Sequence, residues 1–412
     1  MNYTIRLILF FIIETAFINK IHSRCCKNEN CSCKCQEIIY EEDKDLSGRK
    51  KLINDVQNTE DWYIKEEVEL INKFNSLITG IDEKNVEEIA NTMSNHEIGI
   101  PDLANTCYIN VIMQMISHSK IFVSKIINKA IEIYRNDENI PDNENIKTHP
   151  MISCLAICLI EIYYAQVNKD SNKYDINRIK NAIRELIYFH LFNKTKCKGN
   201  MPNNRYKTFK IPNQNDAEEF LTLLLSDIED ESNGITNFLN ITTQITSKCS
   251  QCKQKNNKQD NQTLCYTNTN TIEELSDITK GYKENIDYTC NICNQKSESQ
   301  KTENITETND IIFIVINRID IQTNESTTQK KVQHQKKIDK QITLNKEITI
   351  NSKRYTLKSY TEHNGSALGG HYTNFTKTNS SWLNIEDTTV FNTDYRSKSQ
   401  NVYIVMYEKE KS

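Results

Sequence analysis

The spacing of apolar residues changes once along this chain, and that change limits the folds it can adopt. Across residues 100–228, apolar side chains recur every three or four positions, which predicts helices. After Phe238 the pattern becomes short β-type stretches, for example at residues 311–316 and 402–407. Helices first and strands later predict an α+β fold with a cleft between two lobes. The lysine-rich stretch 322–341 predicts an exposed hairpin tip or a loop between two strands.

The composition excludes several classes of protein. Nine glycines and five prolines in 412 residues are too few for collagen-like repeats, flexible linkers or proline-rich recognition arms. Lys and Arg number 51 and Asp and Glu 55, so the formal net charge of -4 gives no basic footprint for nucleic acid. With little net charge, 26% charged residues are compatible with an ordinary globular core.

The N-terminal segment, residues 1–23, contains an apolar run at residues 7–13. This run is too short for a membrane-spanning helix of about 20 residues, and its length suits the core of a signal peptide. The basic residues mostly follow it, beginning with Lys20, which favours a membrane anchor with the rest of the chain in the cytosol. An apolar helix without a targeting role is the third interpretation.

A cysteine-rich, charged extension follows over residues 24–98. Its five cysteines could bind metal, form disulfides or be acylated, and their spacing matches no zinc template. They are Cys25, Cys26, Cys31, Cys33 and Cys35.

One motif brings a cysteine to the start of an apolar helix. The segment from Gly99 to Gln114 reads as a turn that delivers Cys107 to a helix N-terminus. The positive end of the helix dipole favours the thiolate, and free backbone N–H groups there can hold an oxyanion. From the local sequence alone, an inert buried thiol is an equally good interpretation.

A second motif places a histidine after a pair of glycines. His371 lies in a glycine-rich loop between two strand-like runs, and the carboxylates of Glu386 and Asp387 follow at the next element. A Cys–His pair with a third group that orients the imidazole is the minimum for thiol acyl transfer. His363, in the same loop, either packs there or contacts a substrate.

Four further cysteines form two pairs that are separated by 37 residues. Two Cys-x2-Cys pairs can supply four thiolates to a tetrahedral zinc ion, and free or disulfide-bonded cysteines are the alternative. A site with four protein ligands is structural, so no zinc is expected at the helix N-terminal cysteine. Cys265 lies between the pairs and is not expected to bind the metal. The predicted ligands are Cys249, Cys252, Cys290 and Cys293.

Taken together, these motifs resemble those of the ubiquitin-specific proteases, which are thiol deubiquitinases with a papain-like catalytic arrangement. The resemblance extends from Gly99 to about Lys409, and several motifs occur in the family's order. The matching segments are Asn105-Thr106-Cys107-Tyr108-x-Asn110, residues 214–221, Gly370-His371-Tyr372 and residues 402–407. The resemblance implies a papain-like fold with a helical thumb, a β palm and zinc-ribbon fingers at about residues 239–310, within a catalytic domain at residues 99–410.

The resemblance also implies catalytic roles. Cys107 is then the nucleophile, His371 the general base and Asp387 the residue that orients the imidazole, with Glu386 as its rival. Asp102 occupies the position where the family usually has an oxyanion-binding asparagine, and an ionised carboxylate cannot donate a hydrogen bond. Either Asp102 is protonated, or backbone N–H groups and Asn105 take this role, or activity is weak.

Substrate contacts are likewise implied by the resemblance. The residues expected to contact ubiquitin are Gln114, Asp216, Glu219, His363, Gly370 and Tyr372. The implied function is hydrolysis of the bond after the C-terminal glycine of ubiquitin on protein conjugates, with structural zinc as cofactor. A catalytically weak ubiquitin-binding scaffold of the same fold is the main alternative, and a secreted papain-like protease is the third. Ala104 stands where the family usually has a glycine, so the resemblance implies an altered turn there.

The expected compartment is reducing, because a thiolate enzyme and a four-thiolate zinc site both need reduced cysteine. Asn364-Gly365-Ser366 is a glycosylation sequon in the loop before His371, and a glycan there would block the cleft. We therefore expect a cytoplasmic catalytic domain, tethered to a membrane if residues 1–23 form an anchor.

Overall fold

The computed structural model describes residues 70–137, 149–171, 174–192, 214–324, 332–367 and 369–410. Two predictions lie outside these residues: the signal or anchor segment at residues 1–23, and the cysteine cluster in the extension.

The helical part of the chain comes first, as the spacing predicts. Residues 70–78 are helical. The other helices are α1 (Glu83–Met93), α2 (Cys107–Ser117), α3 (Lys120–Asp137), α4 (Pro150–Val167), α5 (Asn177–Phe192) and α6 (Ala217–Glu231).

Two of these helices form the centre of the helical lobe. All eleven residues of α2 are buried, so the helix that begins at Cys107 is held on every side. Among the described residues, only α4 is long and apolar enough to cross a membrane, and 78% of that helix is buried inside the protein. Its Glu161 is 1% exposed and pairs with Arg178 at 3.0 Å. These features are those of a core helix.

The strands follow the helices along the chain. They are β1 (Ile241–Lys248), β2 (Lys255–Gln262), β3 (Leu264–Asn268), β4 (Tyr282–Thr289), β5 (Lys296–Thr308), β6 (Ile311–Asn317), β7 (Ile319–Asn324), β8 (Val332–Lys337), β9 (Ile342–Thr343), β10 (Glu347–Ile350), β11 (Lys353–Ser366), β12 (Gly369–Lys377), β13 (Trp382–Glu386), β14 (Thr389–Thr393), β15 (Lys398–Ser399) and β16 (Val402–Lys409). The predicted α+β class is confirmed.

Four groups of paired strands are present in the described residues. An eight-stranded sheet has the order β14-β13-β12-β11-β16-β6-β3, with β10 paired to β11. A four-stranded sheet, β2-β1-β5-β4, lies within the range predicted for the fingers. The strands β15 and β9 pair with each other, and β7 pairs antiparallel with β8. This last pair confirms a hairpin at the lysine-rich stretch, but the stretch is not only a tip or a loop, because β8 lies inside it.

The strand β6 joins the two hydrophobic cores. Its residues Ile311, Phe313 and Val315 pack in one core with the helices, and the alternate residues Ile312 and Ile314 pack in the other. Because both faces are covered, the strand has a continuous apolar sequence and not an alternating one.

Candidate active site and metal centre

Cys107 is the first residue of α2 and is 5% exposed. Burial raises the pKa of its thiol, and the nearby carboxylates of Asp387 and Asp102 raise it further. A backbone hydrogen bond from Tyr372, the residue after His371, lowers it. The fold therefore brings the cysteine motif to the histidine motif. A thiol whose pKa is raised needs a base to remove its proton.

His371 lies near the start of β12, opposite Asn364 of β11. Its Nε2 is 3.2 Å from Oε1 of Glu386, the last residue of β13. With Nε2 facing a carboxylate, Nδ1 is the ring nitrogen left for proton transfer. The contact is an ion-pair distance without hydrogen-bond geometry, because Nε2 is buried and has no hydrogen-bond partner among the described residues.

Asp387 makes different contacts. Its Oδ1 accepts a hydrogen bond from Asn110 Nδ2 at 2.7 Å, and its backbone oxygen accepts one from the Ile100 N–H at 2.9 Å. Its φ of +48° lies in the left-handed region. The sequence favoured Asp387 as the orienting residue, but the contact with the imidazole is made by Glu386. The chain turns between these two residues, so their side chains leave the backbone in different directions.

The turn before Cys107 is organised by Asp102. Its Oδ1 accepts hydrogen bonds from the Thr106 N–H at 2.7 Å and the Thr106 hydroxyl at 2.9 Å, and its Oδ2 accepts one from the Asn105 N–H at 3.3 Å. Two residues of this turn are left-handed, Ala104 with a φ of +73° and Asn105 with +65°. The carboxylate thus acts as an acceptor that holds the turn.

The segment that leads into α6 contacts the histidine strand β12 and the strand β16. The Gly370 N–H donates to Gln214 Oε1 at 3.1 Å. Asp216 caps α6 by accepting from the Glu218 N–H at 2.8 Å, and it also accepts from the Tyr403 hydroxyl at 2.7 and 2.8 Å. Gln214 and Asp216, two residues apart, therefore bond to β12 and β16 respectively, and the substrate-binding roles of Asp216 and Gly370 stay predictions.

The other residues predicted to contact substrate differ in burial, and one of them, Gln114, lies in the interior. The ring of Tyr372 lies 4.6 Å from that of His363. Burial lowers the pKa of His363 to about 4, so this ring is neutral at physiological pH. Glu219 is half-buried in the first turn of α6. Gln114 is 1% exposed and donates to the Ile98 carbonyl at 2.9 Å, so its amide is part of the interior and not of a binding surface.

The two cysteine pairs meet at one end of the four-stranded sheet. Their four sulfur atoms all lie within 4.8 Å of one another and could hold a metal ion. Each pair spans a hairpin turn, between β1 and β2 and between β4 and β5, and Cys265 lies in β3 of the large sheet. The residues after the pairs, Lys253 and Asn294, have φ values of +60° and +53°. The pairs are Cys249 with Cys252, and Cys290 with Cys293.

A family model described as ubiquitin carboxyl-terminal hydrolase matches residues 98–407, which is more than half of the chain. The chain belongs to the ubiquitin carboxyl-terminal hydrolase family. It is therefore a cysteine-type hydrolase of that family, and the resemblance found in the motifs is confirmed. No curated protein sequence matches the chain.

Several solved structures share the fold of this hydrolase. The SAGA DUB module Ubp8/Sgf11/Sus1/Sgf73 bound to monoubiquitin matches with a TM-score of 0.57 and 16% identity, covering 77% of this chain and 70% of that chain. The same module bound to ubiquitin aldehyde matches with a TM-score of 0.58 and 16% identity, covering 77% and 71%. A yeast SAGA DUB module with a mutant Sgf73 has a TM-score of 0.55 at 16% identity, covering 77% and 70%. The predicted papain-like fold of the ubiquitin-specific proteases is confirmed.

Three residues contact the site of this hydrolase in ways that were not predicted from the sequence. Gln214 holds the backbone of Gly370, Asn110 joins α2 to Asp387, and Lys337 reaches the loop before His371. Gln214 and Asn110 lie inside the quoted motifs, so their position was a usable signal. Lys337 belongs to the lysine-rich hairpin and nothing in the sequence distinguishes it from its neighbours.

Proposed function

We propose that this hydrolase is a thiol-dependent deubiquitinase that cleaves the bond after the C-terminal glycine of ubiquitin on protein conjugates. The observation that carries the proposal is the contact between Cys107, at the N-terminus of a buried helix, and the backbone of the residue after His371. Family membership supports the reaction class. The neighbours bound to monoubiquitin and to ubiquitin aldehyde support ubiquitin as the partner.

In the proposed mechanism, Nδ1 of His371 takes the proton from Cys107, and the thiolate attacks the carbonyl carbon of the ubiquitin terminus. His371 then gives this proton to the leaving amine as the C–N bond breaks, leaving a thioester on Cys107. Water, deprotonated by His371, hydrolyses the thioester and restores the thiol. Glu386 keeps the imidazole oriented through the contact at Nε2.

Stabilisation of the oxyanion of the tetrahedral intermediate is the part of the mechanism that this sequence supports least. Asp102 already binds the N–H groups of Asn105 and Thr106, and when ionised it has no proton to donate. In our proposal the first turn of α2 supplies backbone N–H groups, and the Asn105 side chain assists. The tail of ubiquitin passes Asp216, Glu219, His363, Gly370 and Tyr372.

Zinc is the metal we propose for the four-cysteine cluster, since four thiolates in tetrahedral range are a structural zinc site. Backbone N–H groups in each turn lower the pKa of Cys249 and of Cys290, whereas burial and the neighbouring thiols raise the pKa of Cys252 to about 11. Bound zinc would link the turn between β1 and β2 to the turn between β4 and β5 through four metal–sulfur bonds. It would supply no catalytic chemistry. The rest of the fingers would then present a fixed surface to the body of ubiquitin.

A cytoplasmic location, with a membrane tether through residues 1–23, is also part of the proposal. It rests on the need for reduced thiols and on the basic residues after the apolar run. Protease protection of membrane-enriched fractions separates the alternatives: digestion of the catalytic domain from the cytosolic side supports the tether, and protection in the lumen supports secretion.

Capture by a ubiquitin probe with an electrophilic C-terminus tests the main proposal. Wild-type protein should form a covalent adduct one ubiquitin heavier, and Cys107→Ser should form none. Cys154→Ser is the matched control, since Cys154 is fully buried in α4 and should leave the adduct unchanged. Absence of an adduct on wild-type protein, or an undiminished one on Cys107→Ser, contradicts the proposal.

A catalytically weak ubiquitin-binding scaffold is the second candidate, and Asp102 is the observation that favours it. Its negative charge raises the pKa of Cys107 and would repel an oxyanion. Turnover by Asp102→Asn separates the two. A gain of a hundredfold or more over a barely active wild type supports the scaffold, whereas a change within about tenfold supports the enzyme.

A further inference from the structure

Lys337 is the last residue of β8, in the hairpin that stands outside the large sheet. Its side chain is half-buried and its ammonium donates to three oxygens. These are the backbone carbonyls of His363 at 2.5 Å and Gly365 at 3.3 Å, and Oδ1 of Asn401 at 3.1 Å. The hairpin is thereby bonded directly to the loop that leads to His371.

Asn401 completes the same arrangement from the other side. Its Nδ2 donates to Asn364 Oδ1 at 2.7 Å, and its backbone oxygen accepts from the His363 N–H at 2.9 Å. We call Lys337 and Asn401 the loop clip. Between them they make four hydrogen bonds to three consecutive residues, 363–365, and a fifth joins Lys337 to Asn401.

The strand register connects the clip to the catalytic histidine. Asn364 lies opposite His371, and Gly365 lies opposite Gly370. The two strands are in close contact here: a Cβ at Gly370 would lie 2.3 Å from the Asn364 carbonyl oxygen and 2.6 Å from His363 Nε2. With no free space between the strands, a shift of residues 363–365 moves the backbone that carries His371.

The charge of Lys337 makes this contact strong. Hydrogen bonds from an ammonium to carbonyl oxygens are charge-assisted, and the half-buried setting limits competition by water. Arg318, whose guanidinium donates to the carbonyls of Val402, Ile338 and Lys340, fixes the base of the hairpin beside it. The lysine therefore extends from a fixed strand.

We propose that Lys337 is a positioning residue that fixes the loop at residues 363–370 so that His371 meets Cys107. The inference rests on the proposed deubiquitinase function for its kinetic consequence but not for its structural one. Without the ammonium, residues 363–365 lose hydrogen bonds and can move. A smaller fraction of the protein molecules then holds His371 in the orientation that takes the proton from Cys107.

Two measurements on Lys337→Met test the inference, since methionine keeps an unbranched stem and removes the charge. Amide hydrogen exchange across residues 363–371 should be at least fivefold faster than in wild type, with the other segments unchanged. With a fluorogenic amide of ubiquitin, kcat should fall about tenfold or more while KM stays within twofold. Lys337→Arg should restore kcat to within threefold, because arginine keeps charged donors.

Lys336→Met is the matched control, because Lys336 is the exposed neighbour on the same strand. Unchanged exchange in Lys337→Met, or an equal change in Lys336→Met, overturns the inference. If wild-type protein shows no turnover, the proposed function is wrong. The hydrogen-exchange comparison still tests whether Lys337 fixes the loop, because it does not depend on catalysis. If Lys337→Met does not fold, Asn401→Ala should speed exchange across residues 363–371 by the same criterion.

Discussion

Ala104 is the residue at which the sequence of the catalytic turn and its backbone conformation disagree. Its φ of +73° is in the left-handed region, which costs a residue with a Cβ about 1 kcal/mol. The next residue, Asn105, is also left-handed, but asparagine tolerates this conformation. The turn is therefore held in place by its surroundings, above all by the hydrogen bonds to Asp102.

Ala104→Gly should relieve this strain and raise the free energy of unfolding by about 1 kcal/mol, as measured by urea denaturation. Ala90→Gly is the matched control, since Ala90 lies inside α1. It should lose about 1 kcal/mol, because glycine is a poor helix former. A loss of stability in Ala104→Gly would show that the turn is not strained.

The two carboxylates at the end of β13, Glu386 and Asp387, should respond differently to loss of charge. Glu386→Gln removes the charge that faces His371 and should lower kcat at least about tenfold. Asp387→Asn keeps an acceptor for Asn110 and a residue type that tolerates positive φ, so its kcat should stay within threefold. The reverse order, measured with a fluorogenic ubiquitin amide, would return the orienting role to Asp387.

At the scale of elements, the four-stranded sheet is long, exposed and thinly packed. The strand β2 is mostly exposed, and β4 alternates between exposed and half-buried residues. A sheet with so little apolar burial is stabilised at its end by the four-cysteine cluster, which joins the turn after β1 to the turn after β4.

Metal analysis of purified protein should therefore find about one zinc ion per chain, bound by the four thiolates. Cys252→Ser should lose it, and hydrogen exchange should rise in the turns next to the cluster. Cys265→Ser, in β3 of the other sheet, should keep its zinc. Full zinc content in Cys252→Ser would rule out the proposed ligand set.

In the whole molecule, the helical part of the chain and the large sheet share a hydrophobic core and are also joined by a few long-range hydrogen bonds. The Ile100 N–H donates to the Asp387 carbonyl at 2.9 Å, Ser119 bonds to the buried Glu408, and Asp216 bonds to Tyr403. The first contact needs a glycine beside it. A Cβ at Gly99 would lie 2.4 Å from the backbone carbon of Thr388, closer than any real contact.

Gly99→Ala should therefore separate the chain before Cys107 from the end of the sheet. We expect a loss of at least about 2 kcal/mol in the free energy of unfolding, with a fall in turnover. Gly80→Ala is the control, because a Cβ there meets nothing within 4 Å, and its stability should change by less than about 0.5 kcal/mol. Equal stability of the two variants would contradict the close approach.

Much of this architecture follows from patterns that are local in the chain. Periodicity predicts the helices before residue 228 and the strands after Phe238, because side-chain spacing reports directly on helix and strand geometry. The cysteine spacing also predicts the metal cluster, because each Cys-x2-Cys pair spans one turn and so brings its two sulfur atoms close together. The hairpin at the lysine-rich stretch also follows from local composition. The catalytic and substrate-binding roles stay predictions that the variants above address.

Spacing and motifs in the sequence predict the α+β class, the family, the cysteine and histidine motifs and the four clustered cysteines. They do not predict which carboxylate faces His371, that Gln114 is interior, or that Lys337 bonds to residues 363 and 365, and the folded chain shows all three. The physical reason is the range of the interaction. A motif records which residue types a short backbone segment can hold, whereas these contacts join side chains to segments far away. Their partners depend on how two distant strands turn, as the left-handed Asp387 illustrates.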